Sequence, residues 1–290
     1  MITPRISLGM ILSVAAAVAL GLQGSAVAAP KDSPVGIVAV YLGGPDTGAE
    51  GKKMIDQLIE HLAGAMGVDS TSLIGTYFNE TTPAIAHLKT NRDAFVLGSL
   101  GFYLANRKAL GLSPLAILKT SGDSEERAYV LVKKGRYKSL DDLKGKSLYG
   151  SPLFEDLGYI NRVVFDGKLD AAKQFDLKPT SRPLTAIRKL DKGEADAVLL
   201  NTVQYESLRR MPLFESLEVV FTSEPRPALG LMVTETPRTK AIRDKLLKAV
   251  VEMCSTPKGQ SLCSNFGISG FEPMKPGALD ATIKVYEGGH

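Results

Sequence analysis

The sequence predicts an α/β fold in two lobes, each a mixed sheet with flanking helices, joined by two extended strands around a central cleft. Three observations carry this prediction. Strand and helix patterns alternate through the first part of the chain, the order that builds open, mainly parallel sheets covered by helices on both faces. The 290 residues are more than one small core needs and enough for two ordinary lobes. Two stretches near residues 126–130 and 223–227, the second stiffened by Pro225 and Pro227, read as crossings between lobes.

Taken in order, residues 35–42 form a Val- and Ile-rich run, read as a buried strand that Gly43, Gly44, Pro45 and Asp46 break. Met54, Ile55, Leu58, Ile59, Leu62 and Met66 recur at helical spacing, with Lys52, Lys53, Asp56 and Glu60 on the other face. Residues 73–78 read as a second strand. Thr81-Thr82-Pro83 opens a helix with Thr as cap and Pro in the first turn. Residues 93–97 are a third strand, ending at Gly98-Ser99-Leu100-Gly101 and a short helix through Tyr103 and Leu104. Residues 115–118 are a fourth. Ligands meet such sheets at the loops on the carboxyl ends of the strands, here 42–47, 79–82 and 98–103.

Past the first crossing, residues 128–133 read as a strand, and Ser139 caps a helical turn that Gly145 ends. Strand 147–150, helix 155–165, helix 184–190 and strand 195–200 follow, the last ending at Asn201. Residues 219–222 and 229–234 are strands around the second crossing. Ile242, Leu246, Leu247, Val250 and Val251 mark a long amphipathic helix. A last helix is expected near Leu262, and the tail from Pro273 is expected to wrap the surface. Lobe 1 is then discontinuous, residues 29–126 and 230–290, with residues 127–229 as lobe 2.

The ends and the composition bound the compartment and the partners. Arg5 is the sole charge before Lys31, apolar residues 6–22 follow, and Gly24-Ser25-Ala26-Val27-Ala28 ends in a small-x-small pattern. These are the three parts of a secretory leader, so residues 1–28 are expected to be cut off after Ala28; an uncleaved anchor is the alternative. No Cys follows the apolar run to carry a lipid. The net charge of +4 is mild and its cations are scattered among acids, which argues against nucleic acid as a partner. Cys254 and Cys263 form a close pair, with Pro257, Lys258 and Gly259 read as a turn between them. In an exported chain such a pair points to a disulfide, two buried free thiols being the alternative. The three His residues lie far from this pair, so no metal site is expected.

Catalytic signals are thin. Among known motifs there is neither a Gly-x-Ser-x-Gly nor a Walker loop, and His61 and His87 sit on helices beside no nucleophile. Asp141-Asp142 and Glu125-Glu126 are adjacent pairs, which point apart more often than they share a proton. No cofactor is expected, and an enzyme is the least favoured reading.

Four stretches, in this order and spacing, carry a family resemblance: Arg92-Asp93-Ala94-Phe95-Val96-Leu97-Gly98, residues 139–146, Lys192-Gly193-Glu194-Ala195-Asp196-Ala197, and the return at Pro225 to Pro227. Together they resemble the periplasmic substrate-binding proteins of ABC transporters, in the phosphate- and phosphonate-binding branch. The resemblance spans nearly the whole mature chain. It implies a type II-like binding-protein fold, a two-strand hinge, and a small molecule gripped as the lobes close. It also implies a periplasmic location, a membrane transporter or receptor component as partner, and a chain that works as a monomer.

One departure from the family pattern bears on the ligand. In that family the turn after the strand following residues 139–146 is rich in Ser and Thr and starts a helix, so hydroxyls and N–H groups hold an anion. Here the turn reads Gly150-Ser151-Pro152-Leu153-Phe154-Glu155-Asp156. Ser151 remains, but Glu155 and Asp156 satisfy a helix N-terminus themselves and repel phosphate. The expected ligand-binding residues are Tyr41, Ser99, Phe102, Tyr103, Glu126, Tyr129, Ser151, Phe154, Glu155 and Asn201. They suit a hydrophobic ligand with a polar end, a lipid or sterol carrying a hydroxyl or keto group. The alternatives are phosphate or phosphonate capture, and a sensor module that reports occupancy to a receptor. At single residues the plainer readings are core packing for Phe102, Leu153 and Phe154, hinge packing for Tyr129, a strand-ending turn for Asn201, and pairing with Arg127 or a lysine for Glu126.

Overall fold

The computed structural model describes residues 33–44, 48–120, 124–265 and 267–289; the leader expected over residues 1–28 lies outside them, as do Pro45 and Asp46. The chain opens with β1 (Val35–Val40), α1 (Ala49–Met66), β2 (Leu73–Phe78), α2 (Thr81–Thr90), β3 (Ala94–Gly98), α3 (Leu100–Leu110) and β4 (Leu112–Lys119), and crosses through β5 (Glu125–Glu126). It continues with β6 (Ala128–Lys133), β7 (Lys146–Gly150), α4 (Leu157–Tyr159), α5 (Ala171–Gln174), β8 (Phe175–Pro179), α6 (Pro183–Lys192), β9 (Ala197–Asn201), α7 (Thr202–Leu208) and β10 (Leu217–Thr222). It returns through β11 (Arg226–Pro227) to β12 (Leu229–Thr234), α8 (Pro237–Met253), α9 (Pro257–Asn265), β13 (Gly270–Pro273) and α10 (Asp280–Tyr286).

Two sheets result. One has the order β13-β4-β12-β3-β1-β2, the other β10-β6-β9-β7-β8, and β5 pairs antiparallel with β11 as a ribbon between them. The first sheet thus draws its strands from both sides of the second. It is mixed, because β2, β1 and β3 run parallel while β12 and β13 run antiparallel to their neighbours.

Strand alternation sorts the core of the first lobe into two layers. Val35 and Ile37 face a cluster built with Ile59, Leu62, Leu246 and Val250 of α1 and α8, while Val38 and Val40 face Leu88, Phe102 and Leu104 of α2 and α3. α1 stops at Gly67, whose left-handed φ of 66° suits glycine. α8 starts from a capping box in which Thr236 and Thr239 satisfy each other's backbone N–H, with Pro237 in the first turn. In the second lobe, Val130 and Val132 of β6 face one core, and Leu131 faces the other with Ile187 and Leu190 of α6.

Several local expectations change. Pro257, Lys258 and Gly259 are the first turn of α9 and not a loop, and the Cys254–Cys263 disulfide staples α9 to the end of α8. α2 begins at Thr81 itself, with Glu80 in the cap position. Ser139 caps nothing: its N–H and that of Lys138 donate to the Asp142 carboxylate, which ties down the short turn Asp141–Leu143. The helix expected over residues 155–165 is α4 followed by a π-helical turn, Ile160–Val164. The tail does not merely wrap the surface, because β13 extends the first sheet along β4 and α10 packs beside the π turn. Among the described residues, no helix is long and apolar enough to cross a membrane.

Candidate ligand-binding site

A cavity of about 300 Å³ opens at the cleft between the lobes and runs into the first lobe. Its mouth collects Ser99 at the start of α3, Glu126 of β5, Ser151 and Glu155 after β7, Tyr159 of α4, and Asn201 and Gln204 at the start of α7. Its deep wall is apolar: Met54 and Leu58 from α1, Leu97 and Leu118 from the sheet, Val250 and Met253 from α8, Leu262 from α9, and Phe271 from β13. Ala39 and Gly230 also line it, and a Cβ on Gly230 would strike Phe271 at 2.9 Å and Leu118 at 3.0 Å. Thr120 sits on the wall with its hydroxyl buried and unbonded.

The mouth is organised by bonds internal to the protein. Asn201 accepts from the Gln204 N–H, and Gln204 accepts from the Asn201 N–H, a closed capping box on α7. The Gln204 side chain then donates to the Ser151 hydroxyl at 2.5 Å. Asp156 caps α4 by accepting from the Tyr159 N–H at 3.0 Å. Glu155 does not share that task. It reaches across to α3, where a Cβ placed on Gly101 would fall 2.5 Å from its Oε2.

Two carboxyls are therefore held in a place that disfavours their charge. Burial pushes Glu126 up to about 7. Burial also lifts Glu155 to about 7; a hydrogen bond with Ser99 opposes the rise, and the charge of Glu126 adds to it. Burial holds the Tyr159 hydroxyl well above its ordinary value, helped by both glutamates and opposed by Arg226. Arg226 faces Asp166 at 3.5 Å, and its Nε is buried without a partner.

Of the ten residues expected from sequence, Tyr41, Ser99, Glu126, Ser151, Glu155 and Asn201 line this cavity. The other four do not. Phe102 and Tyr103 are buried in the core beneath α3. Tyr129 lies on the far face of the second sheet, stacked on Tyr205 at 3.9 Å between ring centroids. Phe154 stays on the rim, partly exposed, against the backbone of Gly43. Sequence reasoning missed the deep wall on α1, α8 and α9, along with Thr120, Tyr159 and Gln204.

Comparison with known proteins fits this geometry. The family model described as the phosphonate periplasmic substrate-binding protein of ABC transporters matches residues 46–278. The chain belongs to that family. Its members are periplasmic substrate-binding proteins that serve membrane transporters, and the family is not one of enzymes. No curated protein matches the chain. Solved structures that share the fold include XAC2383 from Xanthomonas citri bound to ATP, with a TM-score of 0.69, 17% identity and coverage of 88% of this chain and 96% of that one. PhnD1 from Prochlorococcus marinus in complex with methylphosphonate has a TM-score of 0.65 at 13% identity, covering 89% and 98%. A binding-protein component of a phosphonate transporter from Pseudomonas aeruginosa gives 0.65 at 14%, covering 88% and 86%. These likenesses carry the two-lobed α/β fold. They also make the buried glutamates of this phosphonate-binding family member notable, since a carboxylate repels the anion for which the family is described.

Proposed function

We propose that this phosphonate-binding-family protein captures an amphiphile, with its apolar body inside the first lobe and a hydrogen-bond-donating polar end at the cleft, and presents it to a membrane transport component. The observation that carries the reading is the apolar extension of the cavity between the sheet and α1, α8 and α9. A small oxyanion has no use for such a wall. A ligand that buries ~200 Å² of apolar surface there gains ~5 kcal/mol before the costs of association. Glu126, Glu155 and the Thr120 hydroxyl supply acceptors for a hydroxyl or an amine. At about 300 Å³ the cavity is at the small end of ligand pockets, so a sterol-sized molecule must leave part of itself in the cleft mouth. On this reading a single chain captures the ligand.

The β5–β11 ribbon is the natural hinge, with lobe boundaries near residues 126 and 229. A leader over residues 1–28 would deliver the chain to the periplasm of its family. The family match favours a second reading, phosphonate capture. Charge opposes it: two unit charges of like sign at ~4 Å repel by ~4 kcal/mol at an effective dielectric of ~20.

The test is a thermal-shift and direct-binding comparison of phosphate, methylphosphonate, a phospholipid and a 3-hydroxy sterol on the purified protein. A ligand that binds only the folded form raises its apparent stability. Binding of the sterol or phospholipid without the anions supports the proposal; tight binding of either anion alone refutes it.

A further inference from the structure

The N-terminus of α3 is where the first lobe would offer positive character to an anion in the cleft. Its first backbone N–H groups have no partner within the helix, and their dipoles sum to partial positive charge. Ser99 caps it by accepting from the Phe102 N–H at 3.1 Å. Gly101, the second helical residue, has no side chain to shield that end. Glu155, from the other lobe, fills the place. Its carboxyl is buried, bonded with Ser99, and set so close to Gly101 that a single added Cβ would collide with it. The Oε2 atom is sealed from solvent with no hydrogen-bond partner of its own.

The opposite lobe is held in place but not closed. Ser151, the hydroxyl best placed to meet a cleft anion from the second lobe, already accepts from Gln204, which the capping box with Asn201 holds fixed. Ser151 thus keeps its O–H to donate, and Glu155 is the group that obstructs the cleft.

We propose that the Glu155 side chain plugs the seat beside the N-terminus of α3, by its volume in either protonation state and by its charge when ionised, and that it is the residue by which this cleft refuses oxyanions. The inference is independent of what fills the apolar cavity. It makes the specificity of the cleft a property of one side chain that bridges the lobes, and it predicts that removing the side chain reopens the seat. Glu155→Ser clears both volume and charge and leaves a hydroxyl. Glu155→Gln removes the charge but keeps the volume.

The experiment is calorimetric titration of the full mature protein with methylphosphonate and with inorganic phosphate, for wild type, Glu155→Ser and Glu155→Gln. Circular dichroism and cooperative thermal unfolding establish that each variant is folded. The expected result is no measurable anion binding by wild type, binding by Glu155→Ser roughly 100-fold tighter than the weakest affinity the titration detects, and a smaller gain for Glu155→Gln. Two outcomes overturn the proposal: wild type binds methylphosphonate as tightly as Glu155→Ser does, or Glu155→Ser is folded and binds neither anion better than wild type. Should Glu155→Ser fail to fold, Glu155→Gln carries the test, and an unchanged anion affinity in that variant overturns it. The sterol and phospholipid titrations report separately on the amphiphile reading, so the two failures are distinguishable.

Discussion

Replacing Glu155 with Gln should flatten the dependence of stability on pH between about 5 and 8. Glu155 and Glu126 both sit near 7 in the folded chain, against a carboxyl value near 4.5 when exposed. A group whose folded pKa is raised binds its proton more tightly in the folded state. Its stabilising contribution is complete below about 4.5 and is lost as pH rises through about 7. One carboxyl raised by that much corresponds to about 3 kcal/mol across the window, at 1.36 kcal/mol per pH unit. Each glutamate's charge opposes the other's, so their protons leave in two steps that belong to the pair. His61 and His87 act in the opposite sense, because burial lowers both and folding is then penalised as pH falls. The assay is therefore a difference: urea unfolding of wild type and Glu155→Gln at intervals from pH 5 to 8. The variant should gain on wild type by about 2–3 kcal/mol between the acid and alkaline ends. A difference between the two proteins that does not change with pH would refute the claim that this carboxyl is buried and bears its charge at a cost.

Three further perturbations test other parts of the site. Leu58→Phe places a ring in the apolar wall and should weaken amphiphile binding at least tenfold in the same titrations while changing stability by less than about 1.5 kcal/mol, since the space is already empty. Reducing Cys254–Cys263, or replacing both residues with Ser, should cost about 2–3 kcal/mol in urea unfolding, the loop-entropy value for a separation of 9 residues, and should loosen the wall that Leu262 forms. Tyr129→Phe should leave every ligand affinity unchanged, because its ring stacks on Tyr205 outside the cavity; a tenfold loss would put Tyr129 back in the site.

The parts of this architecture legible in sequence are those set by local periodicity. Runs such as Val35–Val40 and Ala128–Lys133 are apolar enough to require burial on both faces, and they form strands within a residue or two of the expected ends. The cleft residues were legible for a topological reason. Ser99, Ser151 and Glu155 follow strands, Asn201 ends one, and Glu126 lies on a crossing, so the rule placing ligands at carboxyl ends finds them. It does not say which way a side chain turns. Tyr129 alternates with Ala128 and Val130, and alternation separates two faces without saying which of them meets the other lobe. Phe102 and Tyr103 stand close to Ser99 in sequence, yet the turn of α3 carries them under the helix into the core. The deep wall was illegible because Met54, Leu58 and Val250 have the same helical spacing whether they meet a neighbour or a void. β13 escaped notice because Gly270-Phe271-Glu272-Pro273 holds one large apolar residue. β8 need not have done: Phe175 and Leu177 alternate with Asp176 and Lys178 in the pattern of a half-exposed edge.

The division of the cavity between the lobes has a consequence for how closure is driven. Its deep apolar wall comes from the first lobe, and the second lobe touches the cavity through Ser151, Pro152, Glu155, Tyr159, Asn201, Val203 and Gln204. On the amphiphile reading, most of the hydrophobic gain is then available before the lobes meet, and it does not favour the closed form over the open one. Only groups that differ between the two forms can shift that equilibrium. Those are the contacts that span the lobes: Glu155 on α3, Phe154 against Gly43, and the α10 clasp, in which Arg162 donates to the Tyr286 carbonyl at 2.7 Å and the Tyr286 hydroxyl donates to Asp156. The first is strained by a buried carboxyl, and a donor on the ligand relieves that strain. On the amphiphile reading, the polar end of the ligand, though it buries little area, is thus the part that shifts the closed population.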